Sequence, residues 1–272
     1  MKIETIFEKG SGSLNEDNLI VDGNLFGVFD GATSLDKTVS ENGKTGGFLA
    51  SSAARSAFVA NHFPLLELAE SANQTINRRM IRHGVDLSRK KNLWSTSAAV
   101  IRIQDNNLEW IQTGDAQIIF IFHDNTYQVL VDREDHDYDT LCLWPGIGKS
   151  GSPGTDKRLV DQIRKKRAEM NLTYGVLNGD PRAMDFLNHG RKSLDQVKAV
   201  LLFTDGLSIP VETPEKKKNF SPLVTFYQHL GLTGLKNRLR QIEARDPECR
   251  KYPRFKTHDD IAAIAIHGIA AA

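Results

Sequence analysis

Leu25-Phe26-Gly27-Val28-Phe29-Asp30-Gly31 is an apolar run that ends on a carboxylate and a glycine. A run this short and this apolar predicts a buried β-strand, and strand ends are where a rigid scaffold presents chemistry. The same arrangement recurs along the chain. Asp17 precedes Leu19-Ile20-Val21, Asp115 follows Trp110-Ile111-Gln112-Thr113-Gly114, and Asp205 follows Val200-Leu201-Leu202-Phe203-Thr204. Asp259 and Asp260 precede Ile261-Ala262-Ala263-Ile264-Ala265-Ile266. Carboxylates spread over the whole chain, all at strand ends, predict one site assembled by folding. Crowded carboxylates repel unless a hard cation neutralises them, so Mg²⁺ or Mn²⁺ is the expected occupant.

Outward from these runs, the pattern predicts strands at 3–7, 18–21, 25–30, 97–103, 108–113, 117–122, 127–131, 196–203 and 261–267. Asp22-Gly23-Asn24 joins the second and third as a hairpin. A small-residue helix is expected over 47–62, with Leu49, Ala53, Ala57 and Ala60 on its packed face. Pro64 opens a second helix to about 83, with a stripe of Leu66, Ala69, Ile76 and Met80. Residues 132–195 read as polar and irregular, with a helix near 157–170, and 222–244 read as helical. Strands in blocks with helices inserted between them indicate an α+β fold with mostly antiparallel sheets, read as a single domain over 1–272.

Bulk properties narrow the function. The 272 residues are 40% hydrophobic and 25% charged, an ordinary globular balance able to bury a sizeable core. A formal net charge of +1 gives no argument for a nucleic-acid or membrane partner. Met1-Lys2-Ile3-Glu4 lacks the apolar core of a signal peptide, and only Cys142 and Cys249 occur, so a reduced, cytoplasmic protein is expected.

Asn15-Glu16-Asp17, Val28-Phe29-Asp30-Gly31, Ser95-Thr96-Ser97-Ala98, Gly114-Asp115, Thr204-Asp205-Gly206 and Asp259-Asp260 together resemble the protein phosphatase 2C family of metal-dependent serine/threonine phosphatases, in a divergent bacterial-type form. The segments occur in the family's order and span most of the chain. The resemblance implies a four-layer α-β-β-α sandwich with two central, mostly antiparallel sheets, and a variable flap-like segment around 132–195. It also implies hydrolysis of phosphoserine and phosphothreonine in proteins through a metal-bridging hydroxide. The chemistry is independently reasonable, because two cations can activate water and clamp a phosphoryl dianion that repels an anionic nucleophile.

Carried over by position, Asp30 matches the carboxylate that bridges two Mg²⁺ or Mn²⁺ ions, and Gly31 matches a ligand through its backbone carbonyl. Asp205 and Asp259 match ligands of the second ion, with Glu16 and Asp17 as the acidic pair beside it. Asp260 stands where the family usually has Asn, so either Asp259 or Asp260 could ligate. Asp115 matches a position linked to a third ion, and as a hairpin residue it reads equally well as a turn. The implied partner is a phosphorylated protein bound by a monomer.

Two features depart from the family pattern. Gly12 stands where an arginine grips the substrate phosphate, and Ala32 interrupts a segment whose histidine is proposed as a general acid. Lys9, Lys37 and Arg55 are the candidate substitutes for the grip, and His258 is the histidine to test as proton donor. These losses keep two alternatives open: a non-catalytic signalling module, or a phosphatase of small metabolites. Gly43-Lys44-Thr45 superficially matches a phosphate loop but lacks the earlier glycine and the preceding strand. Arg164-Lys165-Lys166-Arg167, and the basic residues at 250, 251, 254 and 256, read as solvated faces.

Overall fold

The computed structural model describes residues 1–32, 43–144 and 156–268. The strands are β1 (Lys2–Glu8), β2 (Asn18–Asp22), β3 (Leu25–Gly31), β4 (Thr96–Gln104), β5 (Asn107–Thr113), β6 (Gln117–Phe122), β7 (Tyr127–Val129), β8 (Asn188–Ser193), β9 (Val197–Phe203) and β10 (Ile261–His267). The helices are α1 (Gly46–Phe58), α2 (Leu65–Arg82), α3 (Tyr138–Leu141), α4 (Lys157–Ala168) and α5 (Ser221–Ala244). One sheet runs β1-β10-β9-β6-β7 and the other β2-β3-β4-β5-β8, with every pairing antiparallel.

Strand periodicity explains the layering. On β3, Leu25 and Phe29 point to the layer of α1 and α2, while Phe26 and Val28 point to the other sheet. On β10, Ile261, Ala263 and Ala265 pack with α5, while Ala262, Ile264 and Ile266 fill the space between the sheets. Alternate side chains leave opposite faces of a strand, so a strand covered on both faces must be apolar throughout. That is why these antiparallel strands read as continuous apolar runs, and the result is the α-β-β-α sandwich. Ala50, Ala53 and Ala54 bring α1 close against its sheet.

Local expectations shift in four places. α1 stops at Phe58, leaving Ala60 exposed beyond it. The packed stripe of α2 is Leu65, Leu68, Ala69, Ala72, Ile76 and Met80, whereas Leu66 faces water. α5 bends at Gly231, whose φ of 69° and ψ of −179° suit glycine alone. β8 lies inside the stretch read as irregular. Its sequence, Asn-His-Gly-Arg-Lys-Ser, buries nothing fully and pairs only with β5 at a sheet edge, so no apolar signal marks it.

Candidate metal centre

Both sheets deliver aspartates to one end of the sandwich. Asp30 sits near the end of β3 opposite Ser97, and Gly31 opposite Thr96. A Cβ on Gly31 would collide with the backbone carbonyls of Glu16 and Gly47, so only glycine lets these segments meet. Asp115 occupies the β5–β6 turn after Gly114, whose φ is 69°. Ser97 Oγ donates to Asp115 Oδ1 at 2.6 Å and fixes that turn to β4. Asp205 follows β9, and a Cβ on Gly206 would collide with the carbonyl of Asp260. Thr204 Oγ1 donates to Asp17 Oδ2 at 2.7 Å, so the carboxylate before β2 is pinned from the other sheet.

Asp30, Gly31, Asp115, Asp205 and Asp259 line one cavity of about 410 Å³. Its far walls are apolar: Trp144, Leu159, Ile163, Met170, Tyr174, Val176 and Phe255. Asp17 lies beneath, within the field of Asp259, Asp205 and Asp260. Burial, and then the charges of Asp205 and Asp17, hold the Asp30 carboxyl well above the usual range. Burial, and then Asp259 and Asp205, do the same to Asp17 against the opposing Thr204 hydrogen bond. Asp205 is pushed up to about 7, first by burial and then by Asp259 and Asp115, and it shares a hydrogen bond with Asp30. Oxygen donors this crowded are relieved either by holding protons, as the raised carboxyls do, or by a bound cation. The hard, all-oxygen set of Asp17, Asp30, the Gly31 carbonyl, Asp205 and Asp259 therefore fits Mg²⁺ or Mn²⁺.

The other sequence candidates lie elsewhere. Asp260 accepts from the backbone N–H of Gly10 at 2.7 Å and of Glu16 at 2.8 Å, one on each carboxylate oxygen. It clamps the N-terminal loop, while its neighbour Asp259 faces the cavity. Glu16 accepts from the Thr45 hydroxyl, and Thr45 also caps α1 by accepting from Phe48 N–H at 3.2 Å. Glu16 is thereby held at the helix start. Lys9 is exposed. Arg55 is also exposed, with its Nε donating to the Leu19 carbonyl at 2.9 Å. Lys37 lies outside the described residues. His258 Nδ1 meets Glu243 Oε2 at 2.8 Å, away from the cavity.

Several further groups stand in or beside the cavity with no role assigned to them from the sequence. His136 stacks on Tyr174 with ring centroids 4.3 Å apart, and its Nε2 lies 3.8 Å from Asp115 and 3.7 Å from Asp137. Burial opposes its charge, but Asp137 and Asp115 outweigh burial and raise its pKa. Burial likewise opposes ionisation of Asp115, and His136 and Lys218 overcome it, holding that carboxyl below its ordinary value. One ligand atom each from Asp115, His136 and Asp137 lie within 4.8 Å of one another. Lys218 turns inward to within 3.6 Å of Asp135. Lys166 and Arg167 leave the basic run and line the cavity, while Arg164 and Lys165 stay exposed.

Arg254 and Lys256 are not solvated either. Arg254 Nη1 donates to Asp246 Oδ2 at 2.8 Å and its Nη2 to the Glu243 carbonyl at 3.1 Å, which ties down the loop before β10. Lys256 Nζ lies 2.6 Å from Asp259 Oδ1. Burial opposes the Lys256 charge, but Asp259 outweighs it and raises the pKa. Helical or strand periodicity could not have revealed these contacts. The only signal was a lysine three residues before the acidic pair.

Comparison with known proteins places this architecture. No protein-family model and no curated protein matches the sequence. Solved structures do match over nearly the whole chain. The Mycobacterium tuberculosis serine/threonine phosphatase PstP/Ppp is 16% identical, with a TM-score of 0.60, covering 97% of each chain. The fold is that of the bacterial serine/threonine phosphatases. Stp1 from Staphylococcus aureus is 15% identical, with a TM-score of 0.59, over 98% of this chain and 94% of its own. The Mycobacterium smegmatis phosphatase MsPP, solved with cacodylate, is 16% identical, with a TM-score of 0.57, over 98% of each chain. The PstP catalytic domain has also been solved with two manganese ions.

Proposed function

We propose that this chain is a Mg²⁺- or Mn²⁺-dependent phosphomonoester hydrolase acting on phosphoserine or phosphothreonine in proteins. The observation that carries this reading is the convergence of Asp30, Asp115, Asp205 and Asp259, from four distant segments and both sheets, on one cavity. Asp17 supports them from below through its hydrogen bond to Thr204. Burying so many like charges has no structural benefit, since an ionised carboxylate taken out of water without a partner costs several kcal/mol.

Asp30, Asp205, Asp259 and Asp17, with the Gly31 carbonyl, would hold the ions. Bound there, Mg²⁺ or Mn²⁺ would supply charge neutralisation and water activation for phosphoryl transfer. The chain's own groups do the positioning. Ser97 orients Asp115 and Thr204 orients Asp17, so neither carboxylate has to be ordered at the moment of reaction. His136 stands on the cavity wall between Asp115 and Asp137, which favour its protonated form. Trp144, Phe255 and Tyr174 exclude water from the flank where the rest of a substrate would lie.

The experiment is hydrolysis of p-nitrophenyl phosphate and phosphopeptides by the purified protein with Mn²⁺, with and without EDTA, beside Asp205→Asn. EDTA and the substitution should each abolish turnover. Near-wild-type rates in Asp205→Asn would overturn the reading. Hydrolysis confined to small phosphoesters would move the substrate class to metabolites. Metal binding with no hydrolysis would identify a non-catalytic module.

A further inference from the structure

We propose that Lys256 is the residue that grips the substrate's phosphoryl group, an assignment that rests on the phosphatase reading of this same cavity. A phosphomonoester dianion entering a cavity of carboxylates needs positive charge fixed by the protein as well as by ions. Among the described residues, the lysines and arginines lining the cavity are Lys166, Arg167 and Lys256. Lys166 and Arg167 lie on α4, which builds the apolar wall, and Lys166 is paired to Asp139 at 3.3 Å and Glu169 at 3.4 Å. Lys256 alone of the three stands at the carboxylate end, with its Nζ 2.6 Å from Asp259 Oδ1 and in the field of Asp30.

The position is built. Arg254 anchors the loop on one side of Lys256 through Asp246 and Glu243, and its Nε donates to the Thr257 carbonyl at 3.2 Å. Arg240 Nη2 donates to the Asp259 carbonyl at 2.7 Å on the other side. Asp259 Oδ1 takes both the ammonium and the Asp260 N–H at 2.8 Å. An ammonium has three donors, and Asp259 is its one described acceptor, so two remain for an anion in the cavity. The segment also lies against the loop that carries Gly12: Ser11 N–H donates to the His258 carbonyl at 2.8 Å.

The test is inorganic phosphate binding to the full chain in Mn²⁺, by calorimetry and by competitive inhibition, beside KM and kcat for p-nitrophenyl phosphate. Lys256→Met and Lys256→Gln should weaken phosphate binding about tenfold or more, the usual range for losing one charged hydrogen bond. KM should rise in parallel, Mn²⁺ affinity should hold or improve, and Lys256→Arg should recover most of the loss. Unchanged phosphate affinity in either folded variant overturns the assignment. So does a matching fall in Mn²⁺ affinity, which would make Lys256 a prop for Asp259. Lys256-dependent phosphate binding without ester hydrolysis would support this proposal and sink the hydrolase reading, whereas Lys256-independent hydrolysis would do the reverse.

Discussion

Removing one charge from the metal centre should stabilise the metal-free protein while destroying its function. Asp205 titrates near 7 in the folded chain against an ordinary 3.8, because burial and then Asp259 and Asp115 disfavour its ionised form. A carboxyl raised in this way binds its proton more tightly folded than unfolded. Its contribution is nil below about 3.8, where both states are protonated. It becomes progressively destabilising as pH rises, and the penalty is complete above about 7. The interval from 3.8 to about 7 corresponds to roughly 4 kcal/mol. Water reaching this partly buried group from the cavity reduces that to roughly 2–4 kcal/mol. Asp205→Asn keeps the shape and removes the charge, so in EDTA at pH 7.5 its Tm should exceed the wild type's by on the order of 10 °C. At pH 4 the two proteins should converge. In Mn²⁺ at a thousand times its Kd the gap should close or invert, because ligand at that level adds about 4.1 kcal/mol to the wild type and nothing to the variant. The assay is thermal unfolding by circular dichroism across pH 4–8, with EDTA or Mn²⁺. A variant Tm at or below wild type in EDTA at pH 7.5 would refute the reasoning.

The neighbouring aspartates should separate by phenotype. Asp259→Ala should lose Mn²⁺ binding and turnover with the fold retained, read by calorimetry and circular dichroism. Asp260→Ala should instead lose roughly 2–4 kcal/mol of stability to urea, because two backbone N–H groups lose their acceptor; equal stability of the two variants would contradict these roles. Arg254→Met should cost roughly 3–5 kcal/mol by leaving Asp246 buried without its partner. It should also weaken Mn²⁺ binding through the loosened loop, and unchanged urea midpoints would count against that anchor.

Apolar runs that stop on an aspartate were legible because both causes are local. A strand covered on two faces is apolar along its covered length, as β3, β10 up to Ile266 and β9 from Ala199 are, and an aspartate next to one marks the sheet rim. β8 was invisible because a polar edge strand is selected by its partner β5 and not by burial. The bend at Gly231 was invisible because glycine inside a helical pattern has no unique reading.

The sequence by itself determined which carboxylates exist at strand ends, the antiparallel α+β class and the preference for a hard cation, since periodicity and charge chemistry depend on residue type alone. Only the tertiary structure decided how those carboxylates divide. Asp259 faces the cavity while Asp260 is consumed by two backbone donors, and Glu16 is held at the start of α1. Lys256, readable as solvated, turns inward to Asp259, and Lys218 to Asp135. The physical reason is that hydrogen-bond and ion-pair partners here come from segments up to 250 residues apart, as Gly10 and Asp260 are. Which oxygen a distant donor takes is a matter of three-dimensional placement, and no local pattern encodes it.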